Sequence, residues 1–383
     1  MRHLPLSLFV LILFTACAQN QLPVTPPTAV PPVNIALQST PTAAATTTPT
    51  ITQSPITQLP ITQLPNQPIN PTPSAILTTQ PTAIPFSTPN PYSDLTIEAL
   101  ASRTYGGGEV DIIDVLDEEV PLEDGKTFSR YLFTYPSDGL TVYGYINTLD
   151  EGYKFPVAIL LHGYIPPDEY DIVDYTERYA NSLVEAGYFV IHPNFRNYPP
   201  SDSGPDPFRI GYAVDILNLI AIIREQSKDP LGYLRRADTD NIHLWGHSMG
   251  GGVALRVLAV NTEEYIRAAV LYGSMSGNEQ WNYEQIRQWS GGVRGEFELS
   301  ASQEMMEAIS PIYHLDRITS AISIHHSDAD ATVPLAWSED LCGRLQAINH
   351  PVECFTYNDI PHTFNGPGDA LFMKRVIDFF RLY

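Results

Sequence analysis

The run Gly246-His247-Ser248-Met249-Gly250-Gly251-Gly252 stands between an apolar stretch, Ile242-His243-Leu244-Trp245, and a segment of helical periodicity. A serine flanked by glycines at a strand-to-helix junction is placed for nucleophilic attack. The turn needs residues without side chains at 246 and 250, because Cβ atoms there would meet across the bend. It leaves the amide of Met249, at the start of a helix, without an intrahelical acceptor and able to meet an oxyanion. The competing reading is a glycine-rich helix start with an incidental serine, and the strand before it and the helix after it weigh against that.

The elements that must present this serine can be read from hydrophobic periodicity. Strand-like apolar runs fall at 130–135, 140–146, 157–161, 189–192, 242–245, 268–272, 322–325 and 352–357, and helical patterns at 177–185, 212–225, 249–259, 335–346 and 371–380. Strand then helix, repeated from residue 157 onward, predicts parallel pairing with helices on both faces, while the short runs before 157 suit an antiparallel edge. The fold class is therefore α/β. In such sheets ligands sit beyond the carboxyl ends of the strands, so the residues just after each run carry the most weight.

Gly246-His247-Ser248-Met249-Gly250-Gly251 resembles the nucleophile elbow of α/β-hydrolases, and with the other strand ends it is most similar to the catalytic domain of the prolyl oligopeptidase family and its exported esterase-like relatives. The resemblance covers residues 128–383. It implies a mostly parallel sheet with an antiparallel N-terminal edge, helices on both faces and a lid-like insertion after the sixth strand. His162-Gly163-Tyr164 matches the oxyanion segment, which assigns the second donor to the amide of Tyr164 beside that of Met249; His162 itself is expected to brace the loop. His326-Ser327-Asp328-Ala329-Asp330-Ala331-Thr332-Val333-Pro334 resembles the pattern H-G-x-x-D-x-x-V-P and assigns the acid to Asp330. Ser327 replaces the usual glycine, which keeps Asp328 as a rival. Asn358-Asp359-Ile360-Pro361-His362 matches the loop that delivers the base, His362, with Asp359 as a turn former. The chain order Ser248, Asp330, His362 is the one this fold imposes. Acyl transfer through an acyl-enzyme is the implied chemistry, with loss of activity below about pH 6 as a histidine base takes up a proton.

Residues 274–311, carrying Trp281, Tyr283, Trp289 and Phe297, stand where these enzymes place a lid; the aromatics either line a pocket or form a small core of their own. Residues 93–155 are too few for the β-propeller usual in prolyl oligopeptidases. Access is then expected to be open, as for an esterase or a small peptidase. No cofactor is expected, since no phosphate loop, zinc spacing or nicotinamide fingerprint is present. His325 and His326 are read as packing residues without a metal.

Composition sets the surroundings of that domain. Arg2, a short apolar run and Phe14-Thr15-Ala16-Cys17 form a signal-peptide pattern over residues 1–17 that resembles a bacterial lipoprotein box, with Cys17 as the lipidation site. Phe14 stands where leucine is usual, which leaves simple cleavage open; the run is too short for a membrane span. Residues 18–92 hold 17 of the 34 prolines and no charged side chain, and the pentad Ile-Thr-Gln-x-Pro recurs at 51–55, 56–60 and 61–65, so this stretch is expected to be a disordered linker. The 43 acidic and 20 of the 21 basic residues lie in 93–383, giving that part a formal charge of −23. Such a field disfavours nucleic acid and anionic membrane surfaces as partners, leaving a small ester or peptide substrate and, at the membrane, only a lipid anchor. Cys342 and Cys354 form either a disulfide or a pair of buried thiols. Two other functions share the same residues: a surface-tethered binding protein on a hydrolase fold, and an acyltransferase.

Overall fold

The computed structural model describes residues 92–173 and 175–383. The signal pattern at 1–17, Cys17 and the linker as far as residue 91 lie outside the described residues. Helix α1 (Ile97–Ala101) leads into three strands, β1 (Asp111–Pro121), β2 (Thr127–Ser137) and β3 (Leu140–Leu149). An alternating series follows: β4 (Phe155–Leu161), α2 (Glu177–Glu185), β5 (Phe189–Pro193), α3 (Ile210–Gln226), β6 (Ala237–His247), α4 (Met249–Val260) and β7 (Ile266–Tyr272). Three short helices, α5 (Glu279–Trp289), α6 (Glu296–Leu299) and α7 (Gln303–Ile309), precede β8 (Ala321–Ser327), α8 (Leu335–Ala347), β9 (Val352–Tyr357) and α9 (Gly366–Leu382).

All the described strands belong to one sheet, ordered β1-β2-β3-β5-β4-β6-β7-β8-β9. β1 to β3 and the β3–β5 pair are antiparallel, and every pairing from β5–β4 to β8–β9 is parallel. The centre of the parallel part is continuous apolar sequence, such as Val157 to Leu161, because helices cover both of its faces. α3 and α4 pack with one core cluster, α2 and α9 with the other. α4 is buried along almost its whole length, so its N-terminus is held rigidly at the end of β6.

Sequence periodicity missed β1. Its segment mixes acidic and apolar residues, most of them exposed, and its pairing with β2 slips register three times. An edge strand buries too little to show an alternating pattern. The insertion at 274–311 consequently follows the seventh strand and not the sixth.

Cys342 of α8 and Cys354 of β9 form a disulfide across a sequence separation of 12. This settles the choice left open above: Cys354 is exposed, so a pair of buried thiols does not describe it. The bridge joins the helix that follows the Asp330 loop to the strand that precedes the His362 loop. Closing a loop of this size restricts the unfolded chain by about 3 kcal/mol in the entropic account. Replacing both cysteines by alanine is therefore expected to lower the urea midpoint by the equivalent of about 2–4 kcal/mol, measured by fluorescence-monitored unfolding. An unchanged midpoint would remove the bridge from the stability of this region.

Candidate active site

Ser248 stands between β6 and α4 in a conformation that only a firm scaffold imposes, φ 55° and ψ −116°. Its amide donates to the Tyr272 carbonyl at 2.9 Å and its carbonyl accepts from Met275 at 3.0 Å, so the turn is pinned to the end of β7. The glycines around it are steric necessities. A Cβ at Gly246 would lie 2.4 Å from the Gly250 carbonyl oxygen, and one at Gly250 would lie 2.1 Å from that of Leu161. Strand, turn and helix thus close against β4 with no room for side chains.

The loop after β4 runs beside the serine, where a Cβ on Gly163 would come within 3.2 Å of Ser248 Cβ. His162 is buried beneath this loop with Nδ1 2.7 Å from the Gly163 carbonyl oxygen, and burial lowers its imidazole to about 4 against the opposing effect of that bond. It braces the loop as a neutral ring. Among the described residues the amides of Tyr164 and Met249 have no hydrogen-bond acceptor, so both remain available to a ligand.

Asp330 and His362 meet from the loops after β8 and β9, with Nδ1 of His362 2.6 Å from Oδ2 of Asp330. The Asp330 side chain is 1 % exposed. Its Oδ1 accepts from the amides of Thr332 and Val333 at 2.8 and 2.9 Å, and Nε2 of His326 lies 3.2 Å from Oδ2. Burial pushes this carboxyl upward, but the bonds from His326 and His362, the charge of His362 and the Val333 amide outweigh it and hold the group well below the usual carboxylate range. The acid is ionised throughout the neutral range. Gly273, at φ 48°, leaves room for the pair: a Cβ there would stand 3.2 Å from His362 Nδ1 and 3.5 Å from Asp330 Oδ2.

The other candidates sit elsewhere. Asp328 is exposed and accepts the Asp359 amide at 2.9 Å, which makes it a partner of the turn containing Asp359, itself at φ 58°. His325 is buried between Ser323 and the Tyr357 hydroxyl, and no group of three metal-binding side chains occurs among the described residues. In the insertion, Tyr283 is buried and meets Phe208, while Phe297 packs edge-on to Tyr92. Tyr283 belongs to the main core, whereas Phe297 and Trp289 stay exposed, so the insertion's aromatics form no core of their own. The insertion is anchored by Glu279, which pairs with Arg256 of α4 at 2.5 Å and with Arg209 at 3.1 Å. Sequence reasoning missed His326 as a neighbour of the acid and gave His247 no part; only distance in space, not spacing, reveals them.

Two sequence families match this chain, the α/β hydrolase fold over residues 156–304 and the prolyl oligopeptidase family over 231–382. The chain has the α/β-hydrolase fold. Among solved structures, this chain is similar to acylaminoacyl peptidase of Pyrococcus horikoshii at 21 % identity and TM-score 0.52, over 68 % of its length and 42 % of that one. It is similar also to acetyl xylan esterase 1 from Thermoanaerobacterium sp. JW/SL YS485 (16 % identity, TM-score 0.52, 75 % of this chain and 93 % of that one). The acetyl xylan esterase of Paenibacillus sp. R4 gives 17 % identity and TM-score 0.51 over 75 % and 94 % of the two chains. The chain thus spans less than half the length of the Pyrococcus peptidase. At these identities the solved structures speak for the fold alone.

Proposed function

We propose that the protein is an exported hydrolase of ester or peptide acyl bonds that works through an acyl-enzyme on Ser248. The observation that carries this reading is the short Asp330–His362 hydrogen bond, held on the two loops that follow β8 and β9, with the His362 ring 4.6 Å between centroids from that of His247 beside the strained serine. His362, oriented through Nδ1 by Asp330, takes the Ser248 proton on Nε2 as the hydroxyl attacks the carbonyl carbon. The amides of Tyr164 and Met249 receive the negative charge that develops on the carbonyl oxygen. His362 then passes its proton to the leaving alcohol or amine, and water, activated by the same imidazole, releases the acid. Nothing in this sequence of steps calls for a cofactor.

The names of the similar structures span peptide and ester substrates, and both bonds suit this machinery. Export is supported by the signal pattern ending at Cys17 and by the Cys342–Cys354 bridge, which persists in an oxidising compartment. A lipid on Cys17 and the proline-rich stretch after it would tether the enzyme to the outer side of a membrane.

The test is labelling of the purified protein with a fluorophosphonate, peptide mapping, and turnover of p-nitrophenyl esters against peptide anilides. Stoichiometric adduct on Ser248 is expected, with the faster substrate series fixing the bond cleaved. A folded protein that takes no label would overturn the reading in favour of a binding protein, and acyl transfer to an added alcohol in preference to water would make it a transferase.

A further inference from the structure

One tyrosine outside every matched motif touches two of the three segments that make up the site and reaches the third through His247. Tyr175 lies on the loop between β4 and α2, and its hydroxyl accepts the Gly163 amide at 2.6 Å. The same oxygen is 2.9 Å from Nδ1 of His247, and Nε2 of His247 is 3.3 Å from the His362 carbonyl oxygen. These contacts join the oxyanion segment after β4, the nucleophile turn after β6 and the base loop after β9.

The bonds allow one direction of donation. The His362 carbonyl can only accept, so in a neutral His247 the proton is on Nε2, Nδ1 is the acceptor, and the Tyr175 hydroxyl donates to it. Nε2 in turn donates that proton to the His362 carbonyl at 3.3 Å. His247 is 2 % exposed, and burial together with the charge of His362 holds its imidazole well below the ordinary range, which keeps it in this neutral form. Its ring is gripped by Tyr272 and His362, with centroids 4.2 and 4.6 Å away. The fit around Gly163 is equally close: a Cβ there would stand 2.8 Å from the Tyr175 hydroxyl and 3.2 Å from Ser248 Cβ. With the Gly163 amide engaged by Tyr175, it is the next amide, that of Tyr164, that is left for the oxyanion.

We propose that Tyr175, acting through His247, is a positioning residue that sets the oxyanion segment and the base loop against Ser248. The inference rests on the acyl-transfer reading above. Losing an oxyanion donor outright costs ~10²–10³ in turnover, and a donor that is misplaced but present loses less. Tyr175→Phe is therefore expected to lower kcat on p-nitrophenyl acetate by about 10–100-fold while KM stays within about twofold. Affinity for a trifluoromethyl ketone, whose adduct carries an oxyanion, should weaken by the same factor. A purely structural tyrosine would lower stability without that match.

The proposal is overturned if kcat of Tyr175→Phe stays within about twofold of the unmodified enzyme, or if ketone affinity does not follow kcat. Should Tyr175→Phe not fold, two variants at the neighbouring position decide. His247→Gln keeps an acceptor and a donor and is expected to retain most activity, whereas His247→Leu is expected to lose about as much as Tyr175→Phe; equal activity of these two overturns the proposal. Fluorophosphonate labelling separates the two levels of inference. No label on the unmodified protein sinks the acyl-transfer reading, while equal labelling rates in the unmodified enzyme and Tyr175→Phe sink the positioning role alone.

Discussion

Ser248→Ala is expected to lower turnover of the best ester or anilide substrate by at least ~10³-fold, with His362→Ala close to it and the double variant little worse. The groups act as one unit, so removing either member removes nucleophilic attack. What remains is the rate that substrate binding and the two oxyanion amides sustain without a nucleophile. The fold should tolerate the change, since Ser248 is fixed by backbone bonds to Tyr272 and Met275 that alanine keeps, and neither substitution disturbs Gly246 or Gly250. A circular dichroism melt near that of the unmodified protein is the control. The backbone strain at φ 55° belongs to the turn and not to the hydroxyl, so Ser248→Gly should melt at or above the unmodified temperature while being equally inactive. An active Ser248→Ala would remove the serine from the chemistry altogether.

How much of this was legible in the sequence varies with the physics behind each feature. The nucleophile turn reads easily because sterics leave it few solutions: two close backbone approaches demand glycines at fixed spacing, with a strand before and a helix after. The parallel strands read well because double-sided burial makes them continuous apolar runs. β1 does not, being mostly exposed and acidic, and its absence shifted the position of the insertion by one strand. The disulfide could be posed only as an alternative, because a spacing of 12 says nothing of whether a helix and a strand bring two sulfurs together. Tyr175 was invisible for a similar reason. It lies in an aperiodic loop, and its partner His247 is 72 residues away, so the pairing exists only once β4 and β6 lie side by side.

The choice between Asp330 and Asp328 shows where geometry adds what a departure from a motif left open. Asp330→Asn is expected to lower turnover by ~10⁴-fold with little change in KM, a loss set by the tautomer of the base. The amides of Thr332 and Val333 both donate to Oδ1, so an asparagine must keep its carbonyl oxygen on that side and turn its NH2 toward His362. Facing a donor, His362 can answer only with an unprotonated Nδ1. Its proton then moves to Nε2, the nitrogen that must accept from Ser248, and attack stops although every atom keeps its place. Nε2 of His326, near the same oxygen, meets a donor as well and adds to the cost. Asp328→Asn should change turnover less than about threefold, because its Oδ1 accepts one exposed backbone amide and an asparagine oxygen accepts it equally well. Measured kcat for the pair decides the assignment: losses of equal size would mean that the Asp330–His362 bond does not orient the base.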